Sequence, residues 1–249
     1  MIADSSNCSV PVPYRIHKIS RQTRGAPGIT NPAACTLHGI LKFDSTESPH
    51  LVYNEYVALR LAQAARIPVA DGVLTVAGDG LAYASLEVAL PGMALPDALP
   101  SQLDSIATQY PSEAAALVAF DIWIGNRDRG RNLKASIVTP HLPVFRAFDH
   151  GHALLNIEAA PEGSIRRLFG DELILAGHPF FGRIQKKDLD RWVKRIRQID
   201  FDVIQDCCVF GRPFRAVPLS VQTSLFYALN TRSGMLETII RSNMSKIIP

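Results

Sequence analysis

The chain has 249 residues, 47% of them hydrophobic and 20% charged, with a formal net charge of +3. These are values of an ordinary folded protein and exclude a disordered, collagen-like or coiled-coil chain. So small a positive excess does not by itself point to nucleic acid or a membrane surface, and the length suits one large domain or two small lobes.

The first third reads as mostly β with one helix. Tyr14 to Ile19 is a predicted strand, and Thr36 to Phe43 a second, set off by the turn-rich Arg24-Gly25-Ala26-Pro27-Gly28 and by Asp44-Ser45. Ser48 is the expected N-cap of a helix with Pro49 in its first turn. Val57, Leu61, Ala64 and Ala65 recur at helical spacing, and the helix should stop before Pro68. Gly72 to Ala77 and Leu81 to Leu86 are two further strands, joined at Gly78-Asp79-Gly80 as a hairpin.

The breaker-rich stretch from Val88 to Pro100 reads as a link between lobes, placing a first lobe at 1–90 and a second at 91–249. Beyond it the chain turns helical. Gln102 to Tyr110 is a short predicted helix and Ser112 to Ile124 a strong one, with Leu117, Val118, Ile122 and Trp123 as core candidates. Ala135 to Val138 and Val144 to Phe148 read as a small hairpin. Helices are then expected at Ile165 to Phe169, Lys187 to Ile199, Val221 to Leu229 and Arg232 to Met244. A β-rich start followed by a helical remainder is an α+β, two-lobe pattern.

Four cysteines, Cys8, Cys35, Cys207 and Cys208, make no disulfide framework or zinc-ligand spacing. Met1 to Ser6 shows no basic stretch leading into an apolar one. The apolar run Ala114 to Ile124 is interrupted by Asp121 and too short to span a bilayer. A cytoplasmic protein is expected.

The densest polar cluster on an apolar background is Gly125-Asn126-Arg127-Asp128-Arg129-Gly130-Arg131-Asn132, between a buried helix and a strand pair. The second is Phe148-Asp149-His150-Gly151, one short hairpin later, so that Asp149 can fold back beside Asp128. Carboxylates and an amide gathered this way suit magnesium with phosphate, and phosphoryl transfer also needs a carboxylate to orient the attacking hydroxyl. Lys42 offers a cation from a strand, where its charge needs a partner, and Glu55 on the following helix is the candidate. Alternatively, Asp128 could form an ordinary loop salt bridge with Arg129 or Arg131. The basic amphipathic helix from Lys186 to Arg197 is expected to be a solvated face over Leu189, Trp192, Val193 and Ile196 rather than a nucleic-acid surface.

In this order, Lys on a strand, Asn54-Glu55 on a helix, Gly125-Asn126-x-Asp128-Arg129 with Asn132, then Asp149-His150-Gly151, the residues resemble the HipA-like bacterial kinases, in particular their short branch of little more than the kinase domain. Leu51 to Ala62 leading to Ile67-Pro68-Val69 is similar to that family's first-lobe helix, and Tyr83 to Val88 with Pro91-Gly92 to its hinge. The resemblance implies a two-lobe, protein-kinase-like fold that moves the γ-phosphoryl group of ATP, with Mg2+, to a Ser or Thr hydroxyl of a protein. It assigns Lys42 to the phosphates with Glu55 as its partner, Asp128 as catalytic base, and Asn132 and Asp149 to magnesium. Backbone groups at Glu87 and Val88 would meet adenine, and Arg24, Gly25 and Gly28 would cover the phosphates. An antitoxin-like or regulatory protein partner is a further implication. Two features depart from the pattern. Asn132 follows Asp128 at one residue less than in protein kinases, and Gly130 stands where relatives carry histidine. The alternative readings are a nucleotide-binding pseudokinase without turnover and a small-molecule kinase.

Overall fold

The computed structural model describes residues 14–20, 34–78, 80–90, 93–137 and 143–248. Arg24, Gly25 and Gly28 of the expected phosphate loop, and the expected turn at 139–142, lie outside these residues, as do 91 and 92 at the expected lobe boundary.

The first lobe is built from short antiparallel strands. β1 (Ile16–Ser20) pairs with β2 (Ala34–Leu37), and β3 (Gly39–Lys42), β4 (Gly72–Ala77) and β5 (Gly80–Leu86) form a sheet in the order β3-β5-β4. The strand expected from Thr36 to Phe43 is therefore two strands. The chain changes partner at His38, whose N–H donates to Arg15 O and whose O accepts from Glu87 N–H. Glycine at 39 permits the change, because a Cβ there would stand 2.9 Å from Ser85 O. The β4–β5 hairpin runs in register from Gly72↔Ser85 to Ala77↔Gly80 across the predicted turn.

Helix α1 (Leu51–Ala65) starts two residues later than Ser48 and Pro49 suggest. Ser48 instead closes a reciprocal turn with Ser45, and the N–H of Val52 is capped by Asp44 Oδ1 at 2.9 Å. Arg66 ends the helix in the left-handed region, its N–H returning to Ala62 O and Gln63 O. Val52, Tyr53, Val57, Ala58, Leu61 and Ala62 are all buried, so α1 is covered on more than the expected stripe.

A small hairpin, β6 (Ala89–Leu90) with β7 (Met93–Ala94), leads to the helical lobe. There α2 (Leu103–Gln109) precedes α3 (Pro111–Ile124), in which every residue from Ala114 to Ile124 is buried. A helix apolar all round belongs at the centre of a bundle. α5 (Lys186–Arg197) and α7 (Leu219–Ser242) pack on it, and Trp123 Nε1 donates to Leu229 O. α4 (Pro161–Phe169) begins earlier than expected, with Pro161 in its first turn, and α6 (Phe201–Cys208) was not anticipated.

The two helices expected at Val221–Leu229 and Arg232–Met244 are one continuous α7, followed by the short α8 (Met244–Ile247). Arg232 is buried within it and donates to Ile122 O, Gly170 O and Glu172 O, so packing holds the helix through Asn230-Thr231. The second hairpin is β8 (Leu133–Ala135) with β9 (Phe145–Ala147), and Ala147 also bonds Pro68 and Ala70 of the first lobe. Among the described residues no helix is long and apolar enough to cross a membrane.

Candidate active site

α3 ends at Gly125 with φ +68°, where a Cβ would come within 2.5 Å of Ile157 Cδ1. Only glycine makes this left-handed stop so close to a packed side chain. The chain leaves the helix into the loop carrying Asp128 and Asn132. Asp128 is exposed, and Asn132 Nδ2 donates to the backbone O of Asp128 at 2.8 Å.

Arg129 does not pair with Asp128. Its side chain turns inward and is almost wholly buried. Nε donates to Asp121 Oδ2 at 2.7 Å and Nη2 to Asp121 Oδ1 at 2.9 Å, a bidentate pair. Nη1 donates to Asn132 O and to Phe148 O, at 3.1 and 2.7 Å. One guanidinium thus ties the loop of Asp128 and Asn132 to the residue preceding Asp149. Asn126 Nδ2 and His178 Nε2 complete the shell around Asp121 at 3.0 and 3.1 Å. Phe180 N–H donates to His178 Nδ1, so His178 is neutral with its proton on Nε2.

Lys42, at the end of β3, reaches into the same region from the first lobe. Its Nζ lies 2.5 Å from Glu55 Oε1 and 2.9 Å from Asp149 Oδ1. A half-buried ammonium still loses hydration that partners must replace, and here it has two carboxylates. Burial opposes the charge on Lys42, but Glu55 and Asp149 override it and raise its pKa. Burial alone would likewise raise Glu55. The His150 imidazole and the Lys42 charge hold it instead at about 2. The imidazole contact is long at 3.8 Å, so the lysine is the partner whose loss matters most.

Asp149 has a left-handed backbone, φ +61°, a region Asp tolerates better than most residues. The next residue, His150, gives its backbone N–H to Glu55 Oε1 at 3.1 Å. Asn54, beside Glu55, clamps the same turn: Nδ2 donates to Gly151 O and Ala153 O, and Oδ1 accepts from Leu155 N–H. The helix bearing Glu55 is in turn held by the second lobe. Tyr53 OH donates to Cys208 O, Arg195 Nε to Ala65 O, and Arg215 Nε lies 2.5 Å from the capping residue Asp44.

The structure therefore brings Lys42, Glu55 and Asp149 into contact and joins Asp149 to the Asp128–Asn132 loop through Arg129. At Glu87 the backbone N–H donates to His38 O, so it is engaged in this arrangement, while the carbonyl O accepts from Arg15 N–H and keeps a second lone pair. The Glu87 carboxylate meets His38 Nδ1 at 2.8 Å. The side chain of Val88 is buried with Ala70, Leu95 and Val144, against Tyr14 and Phe148.

Asp121, His178 and Arg215 were not singled out from the sequence as site residues, and Asn54 stood in the motif with Glu55 without a role of its own. Asp121 carried a usable signal, a carboxylate inside an otherwise apolar helix that must find a buried partner. The acid response follows from these groups. Burial would raise Asp121, but the charge and hydrogen bonds of Arg129, with His178, hold it well below the ordinary carboxylate range. His178 is lowered by its own burial. All three groups bind protons less readily in the folded than in the unfolded chain. Their contribution is complete at neutral pH and is lost as the pH falls, first below about 6.5 for His178, then from about 4.5 towards 2 for Glu55. Thermal midpoints measured against pH should fall on acidification, steeply below 4.5. A midpoint that rises there would contradict these pairings.

No family model matches the chain, and no curated protein matches its sequence. Solved structures do. The proinflammatory kinase CtkA of Helicobacter pylori superposes with a TM-score of 0.56 at 15% identity, covering 90% of this chain and 96% of that one. The HipA of Shewanella oneidensis MR-1, solved with HipB and operator DNA of their toxin–antitoxin system, gives 0.50 at 17% identity. That match covers 84% of this chain and 61% of the HipA chain, so this chain spans less than two thirds of that HipA's length. At this identity the likeness is one of fold: with its β-rich first lobe and helical second lobe, the chain has the two-lobe α+β kinase-like fold of these structures.

Proposed function

We propose that the protein is an ATP- and magnesium-dependent phosphotransferase acting on a hydroxyl, foremost a Ser or Thr of a protein. The observation that carries this reading is the half-buried Lys42 held between Glu55 and Asp149. A lysine so placed can exchange one carboxylate contact for phosphate oxygens while Glu55 keeps it oriented. Asp128, exposed on the neighbouring loop, is free to orient an acceptor hydroxyl and take its proton.

Magnesium needs only one or two protein oxygens when nucleotide phosphates supply others. Asn132 and Asp149 fit that demand. Nδ2 of Asn132 is engaged with Asp128 O, which leaves Oδ1 as its ligand atom. Among the described residues no cluster of three or more His, Cys, Asp or Glu could hold a metal ion. When bound, the ion would neutralise phosphate charge. The chain's own contribution is positioning and charge stabilisation. A protein partner, such as the HipB that accompanies the Shewanella HipA, is proposed on the likeness alone.

A pseudokinase is the second reading, favoured by the shortened Asp128–Asn132 spacing. The experiment is transfer of labelled γ-phosphate to protein acceptors with and without magnesium. Magnesium-dependent labelling supports the enzyme. Nucleotide binding without labelling identifies the pseudokinase, and neither binding nor labelling overturns both.

A further inference from the structure

A cleft of ≈ 430 Å³ opens against the loop that carries Asp128. One wall is apolar, from Pro100, Leu103 and Pro179, and the other is Arg127, Gly130 and Arg131. Arg129 and His178 also border it, but their polar atoms are engaged with Asp121 and its surroundings. Arg127 and Arg131 are both exposed. No lining residue is acidic. Glu158, which feels the charge of Arg127, is already matched by Arg167 at 2.7 Å, and Asp104, next to the lining residue Leu103, by Arg183 at 2.7 Å. Asp128 is the exposed carboxylate beside Gly130.

Gly130 decides what the cleft can reach. A Cβ there would stand 4.0 Å from Asp128 Oδ1 and meet nothing else within 4 Å. The missing side chain leaves the space between the cleft and the Asp128 carboxylate open. A segment lying in the cleft would therefore present its own atoms to Asp128 with an arginine on either side.

We propose that this cleft is the acceptor groove, and that it takes an acidic peptide segment whose Asp or Glu side chains pair with Arg127 and Arg131 while a neighbouring Ser or Thr hydroxyl faces Asp128. This rests on the phosphotransferase reading. In the step itself the hydroxyl oxygen bonds to the γ-phosphorus of ATP and the bond from that phosphorus to the bridging β–γ oxygen breaks. ADP leaves with that electron pair, and the hydroxyl proton passes to the Asp128 carboxylate and then to solvent. The apolar wall excludes water from one side of the segment. The two arginines set its register, as charge complementarity does at interfaces.

The test is fluorescence anisotropy on the full chain, with a labelled Ser peptide flanked by Glu against the same peptide flanked by Lys. The acidic peptide should bind about tenfold more tightly or better, about 1.4 kcal/mol across two exposed charge pairs. The preference should shrink with added salt. It should vanish in Arg127→Ala/Arg131→Ala and largely persist in Arg127→Lys/Arg131→Lys. Equal binding of the two peptides, or a preference that survives the double alanine variant, overturns the groove. Stabilisation of the wild-type chain by magnesium–ATP, measured in parallel, separates the two failures. A nucleotide shift without acidic preference overturns the groove alone, and no nucleotide shift overturns the phosphotransferase reading with it.

Discussion

Asp121→Ala is expected to lower the unfolding free energy by about 3–5 kcal/mol, because it leaves the buried Arg129 guanidinium without its counter-charge. At roughly 2–4 °C per kcal/mol for chains of this size, the thermal midpoint should drop by about 10 °C. The same variant removes the acceptor for Asn126 Nδ2 and for His178 Nε2, so the loss is spread over three side chains. Paired replacement by apolar residues, Asp121→Leu with Arg129→Met, should cost less than Asp121→Ala, since no lone charge is then buried. It should still impair catalysis, because Arg129 Nη1 joins Asn132 O to Phe148 O. A midpoint within 2 °C of wild type in Asp121→Ala would mean that this pair does not hold the loop.

Asp128→Asn should have the opposite profile. The residue is exposed and the change is isosteric, so stability should scarcely move. Phosphoryl transfer should fall by about 10²–10⁴-fold, the usual contribution of a positioned acid or base. Nucleotide-dependent stabilisation should persist, because the expected phosphate and metal contacts come from Lys42, Asn132 and Asp149. Transfer at the wild-type rate would remove Asp128 from the mechanism. The two variants together distinguish a residue that builds the loop from one that acts on the acceptor.

Much of the fold was legible because its strongest signals are local. The apolar run of α3, the hairpin at Gly78–Gly80 and the β-then-α order need no tertiary information. The order of Lys42, Glu55, Asp128, Asn132 and Asp149 was equally visible, and so was the need of a strand lysine for a carboxylate. What was not legible depends on partners distant in sequence. The break at His38 follows from pairing with Arg15 and Glu87 on either side. The continuity of α7 follows from three carbonyl partners of Arg232 lying sixty or more residues away. The alternative pairing of Arg129 with Asp128 does not form, and the partner of Arg129 is Asp121 in the preceding helix, where an acidic residue had registered only as an interruption of an apolar run. Glu87, expected at the adenine edge, has its backbone N–H engaged by sheet pairing that no single-strand pattern reveals.

Thermal stability with and without magnesium–ATP, on wild type and on Lys42→Ala, tests the central claim most directly. The variant starts from a lower midpoint, because Glu55 loses the cation 2.5 Å away, so each protein is compared with itself. Ligand at about 100 times Kd adds about 2.7 kcal/mol, a shift of several degrees at this length. The account predicts a magnesium-dependent shift in wild type that Lys42→Ala loses. A wild-type chain that shows no shift at saturating nucleotide, or a variant that shifts as far as wild type, would contradict it.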